Sequence, residues 1–572
     1  MKVVIVGGVA GGASAAARLR RLNEQAGIVL LERGAFISYA NCGLPYYVGG
    51  AITDQEELTL QTPEGFFERF RVDVRILSEA VAIDPAGKTV TVKNLKDGTS
   101  YQEPYDALIL SPGAEPVIPP IPGAKDDRVF TLRTIPDTLR IKAFIEEKRP
   151  KGAVVVGGGA IGMEMAENLR EAGLEVTVVE LADHVIAPLD FDMAADVHSY
   201  AREKGIRLML NTGVKAIVPG EGGLTVQAGD NSLPADMVLL SVGVRPESSL
   251  AKAAGLHVSL KGAILVDEHM RTSDPSIYAV GDAVQVKHFV SGQPAFLPLA
   301  GPANKQGRIA ADNICGIPSI FKGSQGALVL KLFDMTVAAT GMNEAALKAA
   351  DMAYDKVYAF GNSHASYYPG ATSQTIKLLF SPQDGKVLGA QIVGFEGVDK
   401  RCDVINTAIR AGMTVYDLAE LELCYAPPFS SAKDPVNMTG FMAENLLAGK
   451  VKQFHWHDVD GLPRDGSVTM LDVRTMSERR HGRMEGTVHI PVDELRERLS
   501  ELDKAKPVYV HCHSGLRSYI ACRILTQNGF DAYNLAGGYR LYASVKAELP
   551  GLQGKVFPCG MPVQDKQGGV SG

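Results

Sequence analysis

AVVVGGGAIGMEMAENLREAGLEVTVVE, residues 153–180, is the stretch on which the reading of this chain turns. An apolar run of strand type enters a glycine turn, a helical stretch follows, and a second apolar strand ends in an acid. Gly157, Gly159 and Gly162 stand at GxGxxG spacing. Glycine at these places permits the tight turn, lets the backbone approach a pyrophosphate, and lets the helix pack closely on the strand. The phosphates then meet the positive end of the helix. The fingerprint alone is weak, but a strand before it, a helix after it and Glu180 at the next strand end make it specific. A carboxylate there accepts hydrogen bonds from a ribose 2′-hydroxyl and repels a 2′-phosphate. The following LADH brings no Arg or Lys cluster, so NADH is expected over NADPH.

The same unit opens the chain. Lys2–Val6 reads as a strand, GGVAGG (7–12) as the turn, an Ala-rich stretch to Leu22 as the helix, and Ile28–Leu31 as a strand ending in Glu32. Gly7 and Gly12 fit the fingerprint, whereas Val9 stands where the middle glycine belongs. Glu32 at the strand end supports a second dinucleotide site. Between the copies, LILSPG (108–113) reads as a strand leaving the first fold, and LLSVGVRP (239–246) and SIYAVGDA (276–283) read as strands returning to it. The expected organisation is a discontinuous domain at 1–110 and 246–324 with a second at 111–245 inserted in it. An α+β domain at 325–448, a linker at 449–462, a fresh strand–helix alternation at 463–548 and a Gly-, Pro- and Gln-rich tail at 549–572 complete it. Extended, the roughly 14 linker residues would span at most ~50 Å.

Bulk properties exclude several classes. A formal charge of −7 gives no basic footprint, so nucleic acid is not expected as a partner. Seven cysteines form no CxxC pair, which argues against a disulfide framework and against structural zinc; no metal is expected. No apolar run is long enough to span a bilayer and no signal-peptide pattern opens the chain, so a soluble cytoplasmic protein with no membrane partner is expected.

TSDPSIYAVGDA (272–283) resembles the motif in which flavoprotein disulfide reductases hold the flavin ribityl chain with an aspartate, here Asp282. With the two dinucleotide units, that resemblance implies FAD at Gly7, Gly12, Glu32 and Asp282, and NADH at Gly157, Gly159, Gly162 and Glu180. The usual redox segment carries two cysteines; here SYANCGLPYY (38–47) has Cys42 alone, with Tyr47 five residues on. A lone thiol must cycle through a mixed disulfide, a persulfide or a sulfenic acid. Single-cysteine members resemble either coenzyme A disulfide reductase or NADH oxidase and peroxidase. NSHASYYPGA (362–371) and LELCYAPPFSSAKDP (421–435) look like the coenzyme A branch. There, tyrosines of the partner subunit reach the mixed disulfide, which implies a homodimer and gives those places to Tyr367 and Tyr425, with Tyr368 the alternative to Tyr367. The resemblance also assigns coenzyme A contacts to Ser14, Arg18, Arg21, Ser38, Asn41, Asn304 and Lys433, with Arg69 or Arg71 as further candidates.

HCHSGLRS (511–518) follows the apolar strand PVYV. Cys512 at the start of a helix would find a dipole and free amides that favour thiolate and cradle a persulfide. Four residues separate it from Arg517, one fewer than the phosphate loop of cysteine phosphatases needs. With LDVRTMSE (471–478), EGTVHIPVDEL (485–495) and NLAGGY (534–539), residues 463–548 resemble single-domain rhodaneses. Cys315, Cys402 and Cys522 read as packing residues, and Cys559 lies in the tail.

The fold class expected is α/β: two Rossmann-like dinucleotide-binding domains of flavoprotein disulfide reductase type, an α+β dimerisation domain and a C-terminal α/β rhodanese domain. The whole resembles coenzyme A disulfide reductases with a rhodanese domain and NADH-dependent persulfide reductases. That resemblance implies reduction of coenzyme A persulfide, polysulfide or coenzyme A disulfide at Cys42, with Cys512 carrying sulfane sulfur. A sulfurtransferase with a flavin-driven reset, and an NADH oxidase or peroxidase, are the alternatives.

Overall fold

The computed structural model describes residues 1–549, so the tail from residue 550 and Cys559 lie outside the described residues. The chain divides into two units, Met1–Val179 with Gly205–Gly326, and Glu180–Lys204 with Ala327 onwards.

The first unit contains both strand–turn–helix copies, each the centre of a parallel five-stranded sheet. One sheet has the order Ile277–Ala279, Ala107–Leu110, Lys2–Val6, Gly27–Leu31, Asp73–Arg75. The other runs Ile206–Met209, Glu175–Val179, Gly152–Val156, Met237–Leu240, Val129–Phe130. Their central strands are almost wholly apolar because both faces are covered. Ile277–Ala279 does return to the first sheet, but LLSVGVRP does not. Leu239 and Leu240 belong to the second sheet, and Val244–Pro246 pairs antiparallel with Ala114–Pro116 in a two-stranded ribbon. A short buried apolar strand reads alike whichever parallel sheet it joins.

The helix Ala10–Leu22 lies against the helix Ala300–Ile314. They approach so closely that a Cβ on Gly307 would stand 2.2 Å from the Gly11 carbonyl oxygen. The helix Leu44–Gly49, just after Cys42, meets the helix Ala160–Glu171 of the second turn, where a Cβ on Gly49 would stand 2.2 Å from Asn168 Oδ1.

In the second unit an antiparallel sheet, ordered Leu328–Leu332, Met335–Gly341, Val387–Gly394, Ser373–Phe380, Asp355–Asn362, packs with the helices Val398–Ala411 and Pro435–Leu447 and with Phe191–Glu203. A parallel sheet follows, ordered Lys452–Phe454, Ala532–Leu535, Val508–His511, Thr469–Asp472, Val488–His489. The stretch 449–462 is therefore not a linker. Lys452–Phe454 is the edge strand of that sheet, and Trp456 behind it is buried. The strand is three residues long and only Phe454 points into the core, so alternation had too few positions to reveal it. The second unit also encloses Lys377, fully buried, with Nζ 2.8, 2.8 and 2.5 Å from Asp190, Asp192 and Glu344.

Candidate functional site

The two glycine turns are built alike. Gly7 and Gly157 have φ of +98° and +105°, a region that favours glycine. Their amides donate to Leu31 O and Val179 O, both at 2.9 Å. A Cβ on Gly12 or Gly162 would stand 1.9 or 2.0 Å from the carbonyl oxygen of Gly7 or Gly157, so no other residue lets the helix come this close. The middle position differs in kind. Val9 and Gly159 have φ of −97° and −68°, which any residue adopts, and a Cβ at Gly159 would meet nothing within 4 Å. The middle glycine is a matter of space rather than of conformation, and Val9 is compatible with the same turn.

The acids at the strand ends are held in place. Glu32 accepts hydrogen bonds from the amides of Gly8 (3.0 Å) and Gly34 (2.7 Å), which ties it to the first turn. Glu180 Oε1 accepts from the Ala182 amide at 2.7 Å. Asp282 sits in the one-turn helix Gly281–Ala283, whose position is fixed by Gly281 N–H donating to the buried Gln306 side chain at 2.7 Å. Burial pushes the Asp282 carboxyl up, against the opposing pull of Arg133. These cradles, with glycine where a Cβ would collide and a carboxylate at each strand end, fit two dinucleotides.

Cys42 is exposed in the short turn Asn41–Gly43. Its thiol is pushed up by the surrounding protein, which excludes water, and then by the carboxylates of Glu164 and Asp282. Glu164 is itself raised to about 7, chiefly by burial, and accepts a hydrogen bond from Tyr46 OH at 3.3 Å. Sequence reading missed Glu164. The only signal was an acid two residues past Gly162, set in the chain between buried Met163 and Met165. Tyr47, where a second cysteine would stand, is buried.

A cavity of about 370 Å³ opens between the two close-packed helices. Ser14, Arg18, Arg21, Ser38 and Asn304, all expected as contacts, line it, and Phe66 and Arg308 join them. Ser14 Oγ and Asn304 Oδ1 are 2.5 Å apart, and Arg18 Nε donates to Asp312 at 2.7 Å. Asn41 is exposed on the Cys42 turn and is not part of this lining, and Lys433 is exposed in the second unit. Arg308 was missed, although it lies four residues past Asn304 and hence on the same helix face. Also in the second unit, the exposed Tyr367 and Tyr425 hydroxyls are 2.8 Å apart, and that hydrogen bond pushes Tyr367 up.

Cys512 follows the strand Val508–His511 and is fully buried. Its Sγ accepts hydrogen bonds from Gly515 N–H at 3.0 Å and Ser518 Oγ at 3.3 Å. The helix proper starts four residues later, at Leu516, so the cradle joins the cap residue Gly515 to Ser518 in the first turn of the helix. Arg517 does not face the sulfur alone. Its guanidinium grips Glu478 in a bidentate pair at 2.7 and 2.5 Å, and Arg517 in turn holds the Glu478 carboxyl down to about 2. The NLAGGY turn closes on the loop, with Tyr539 N–H donating to Cys512 O at 2.8 Å. Ser518 and Glu478 were absent from the expected site, although both lie within the quoted rhodanese-like segments. Among the other cysteines, Cys402 and Cys522 are buried, and burial lifts Cys402 to about 12.

Comparison with known proteins follows the same partition. The family model "Pyridine nucleotide-disulphide oxidoreductase" matches residues 1–304, its dimerisation domain matches 329–435, and "Rhodanese-like domain" matches 456–544. An NADH oxidase of Methanocaldococcus jannaschii is 39% identical over 454 residues, 79% of this chain and 100% of the relative. A coenzyme A disulfide reductase of Staphylococcus aureus is 36% identical over 444 residues, 77% of this chain and 100% of the relative. The structure of reduced Bacillus anthracis CoADR-RHD superposes with a TM-score of 0.93 at 51% identity, over 96% of this chain and 98% of that one. An NAD-dependent persulfide reductase from A. fulgidus gives 0.89 at 39% identity, over 95% and 100%. Among the described residues no helix is long and apolar enough to cross a membrane. From the glycine turns to the Cys512 loop, the chain belongs to the pyridine nucleotide-disulphide oxidoreductases, flavin enzymes that use a nicotinamide nucleotide, with a dimerisation domain and a C-terminal rhodanese-like domain.

Proposed function

We propose that the protein is an NADH- and FAD-dependent reductase of coenzyme A persulfide, polysulfide and coenzyme A disulfide, working through Cys42, with Cys512 carrying sulfane sulfur. The observation that carries this reading is the cavity. Ser38, which opens the SYANC segment ending at Cys42, lines it, and Arg18, Arg21 and Arg308 lie along it as phosphate would require. Asn41 and Lys433 are further contacts on the family resemblance alone.

Cys42 thiolate attacks the coenzyme A sulfur of a persulfide, CoA–S–SH. The sulfur–sulfur bond breaks, hydrosulfide leaves with the bonding pair, and Cys42–S–S–CoA forms. With coenzyme A disulfide the leaving group is the coenzyme A thiolate. Gly7, Gly12, Glu32 and Asp282 would hold FAD, and Gly157, Gly159, Gly162 and Glu180 would hold NADH; the pair would supply the two electrons with which the sulfur–sulfur bond of Cys42–S–S–CoA is split into Cys42 thiolate and coenzyme A thiolate. In a homodimer, the hydrogen-bonded Tyr367–Tyr425 pair of one protomer would serve Cys42 of its partner, a phenol hydrogen stabilising the departing thiolate. Glu180 accepts from the ribose hydroxyl and gives the preference for NADH.

The relative named NADH oxidase favours a second reading, with oxygen as the electron acceptor. Steady-state NADH oxidation with coenzyme A persulfide, coenzyme A disulfide, polysulfide and oxygen side by side decides between them. The persulfide is expected to give the highest kcat/KM. Oxygen exceeding every sulfur substrate would overturn the proposal.

A further inference from the structure

Glu180 is followed at once by the loop 181–190, and what holds that loop comes from the far end of the chain. Val185 N–H donates to Nε2 of His198 at 3.2 Å. An amide can only donate, so Nε2 must be the lone-pair nitrogen and Nδ1 carries the hydrogen. Nδ1 lies 3.2 Å from Glu548 Oε2, so its hydrogen goes to that carboxylate. His198 is fully buried on the helix Phe191–Glu203, and burial favours the neutral imidazole that this relay needs. Glu548 ends the helix Gly538–Glu548 of the rhodanese-like domain, and its other oxygen takes a hydrogen bond from Arg202. The same two helices are joined again by Ser544 Oγ donating to Asp196 at 2.6 Å.

An independent sign of constraint lies next to Val185. Ile186 is buried with φ of +59°, a left-handed conformation that a β-branched side chain adopts only under strain. Such strain persists where the surroundings over-determine the backbone, and it concentrates at functional sites. The loop is further fastened by Leu189 O accepting from His184 Nε2 at 2.9 Å, and by Asp190 N–H donating to Gln391 at 2.7 Å.

We infer that the rhodanese-like domain is a working part of the nicotinamide-nucleotide site: Glu548, acting through His198, holds the loop after Glu180 in the conformation that receives the NADH ribose. This rests on the reading of Glu180 given above. Glu548 and His198 are positioning residues, since neither is assigned a contact with the nucleotide. The fusion then does more than append a sulfur carrier, because the carrier's last helix braces the segment that follows the ribose acid.

The test uses the full-length, FAD-loaded enzyme. Glu548→Ala is expected to raise KM for NADH roughly fivefold, the worth of one buried hydrogen bond. The kcat at saturating NADH and the KM for coenzyme A disulfide should stay unchanged, and amide exchange at Val185 should speed up. Glu548→Gln, whose amide oxygen still accepts from Nδ1–H although its NH2 cannot accept from Arg202, should bring the KM most of the way back to wild type; that rescue separates positioning from damage to the fold. Unchanged Val185 exchange and unchanged KM for NADH in Glu548→Ala would overturn the inference. Glu180→Ala examines the underlying reading by itself: it should erase the preference for NADH over NADPH, and an unaltered ratio would remove Glu180 from the site whatever Glu548 does.

Discussion

Cys42 and Cys512 are both thiols proposed to handle sulfur–sulfur bonds, and their surroundings are opposite. Cys42 lies exposed on a short turn, and the protein packed around the turn, then the carboxylates of Glu164 and Asp282, disfavour its ionised form. Cys512 is sealed from solvent, and an amide and a hydroxyl point at its sulfur. Even the nearby cation is answered, since Arg517 is locked to Glu478. The contrast fits two tasks. A thiol that must admit a bulky disulfide has to be reachable. A thiol that stores a reactive persulfide gains from a closed shell of neutral donors, which steady the charge without attracting competing anions.

The comparison can be broken most sharply at Cys42. Cys42→Ser should lower NADH-driven reduction of every sulfur substrate by more than ~1,000-fold, as loss of a nucleophile does, while FAD stays bound and reducible by NADH; stopped-flow absorbance separates the two. If this variant still reduces coenzyme A disulfide, Cys42 is not the attacking thiol. Cys512→Ser should abolish thiosulfate-to-cyanide sulfur transfer and leave coenzyme A disulfide reduction intact, measured on one preparation. Loss of both would mean that the two thiols form a single catalytic unit. A smaller effect is expected at Ser518. Removing its hydroxyl deletes one of the two hydrogen bonds to Cys512 Sγ, so Ser518→Ala should slow sulfur transfer roughly tenfold, the worth of a hydrogen bond to a charged sulfur.

The smallest effect sharpens the electrostatic half of the contrast. Glu164 ionises near pH 7, so as the pH rises through that value a negative charge develops near Cys42 and opposes its thiolate. Glu164→Gln removes that charge. The pH profile of Cys42 alkylation by iodoacetamide should move to lower pH, with faster labelling at neutral pH. A profile that stays put or moves upward would show that the Glu164 charge does not hold the thiol up.

Legibility in the sequence followed the range of the contacts. The second glycine turn, the Cys512 loop and Glu180 are runs or near-neighbours in the chain, and short-range rules suffice for them. The first turn was legible despite Val9, because Gly7 and Gly12 carry the conformational demand and the middle position does not. Ser14, Arg18, Arg21, Ser38 and Asn304 line one cavity because two helices meet at Gly11 and Gly307, an approach that no local pattern announces; the family resemblance supplied those residues. Glu164, Glu478 and the Glu548–His198 pair escaped because each matters through a partner distant in sequence. Lys377 is the extreme case. An alternating strand would place a lysine toward water, yet three acids hold it wholly inside.

The edge strand Lys452–Phe454 governs where this chain can be cut. Its residues pair with Tyr533, Asn534 and Leu535. A fragment begun at residue 456, where the rhodanese-like family match starts, would bare the hydrogen-bonding margin of that inner strand. Such a margin invites strand addition from another copy and so aggregation. A stand-alone rhodanese-like domain made from this protein should therefore begin upstream of Lys452, and poor solubility of a shorter version would reflect a torn sheet rather than an inability of the domain to fold.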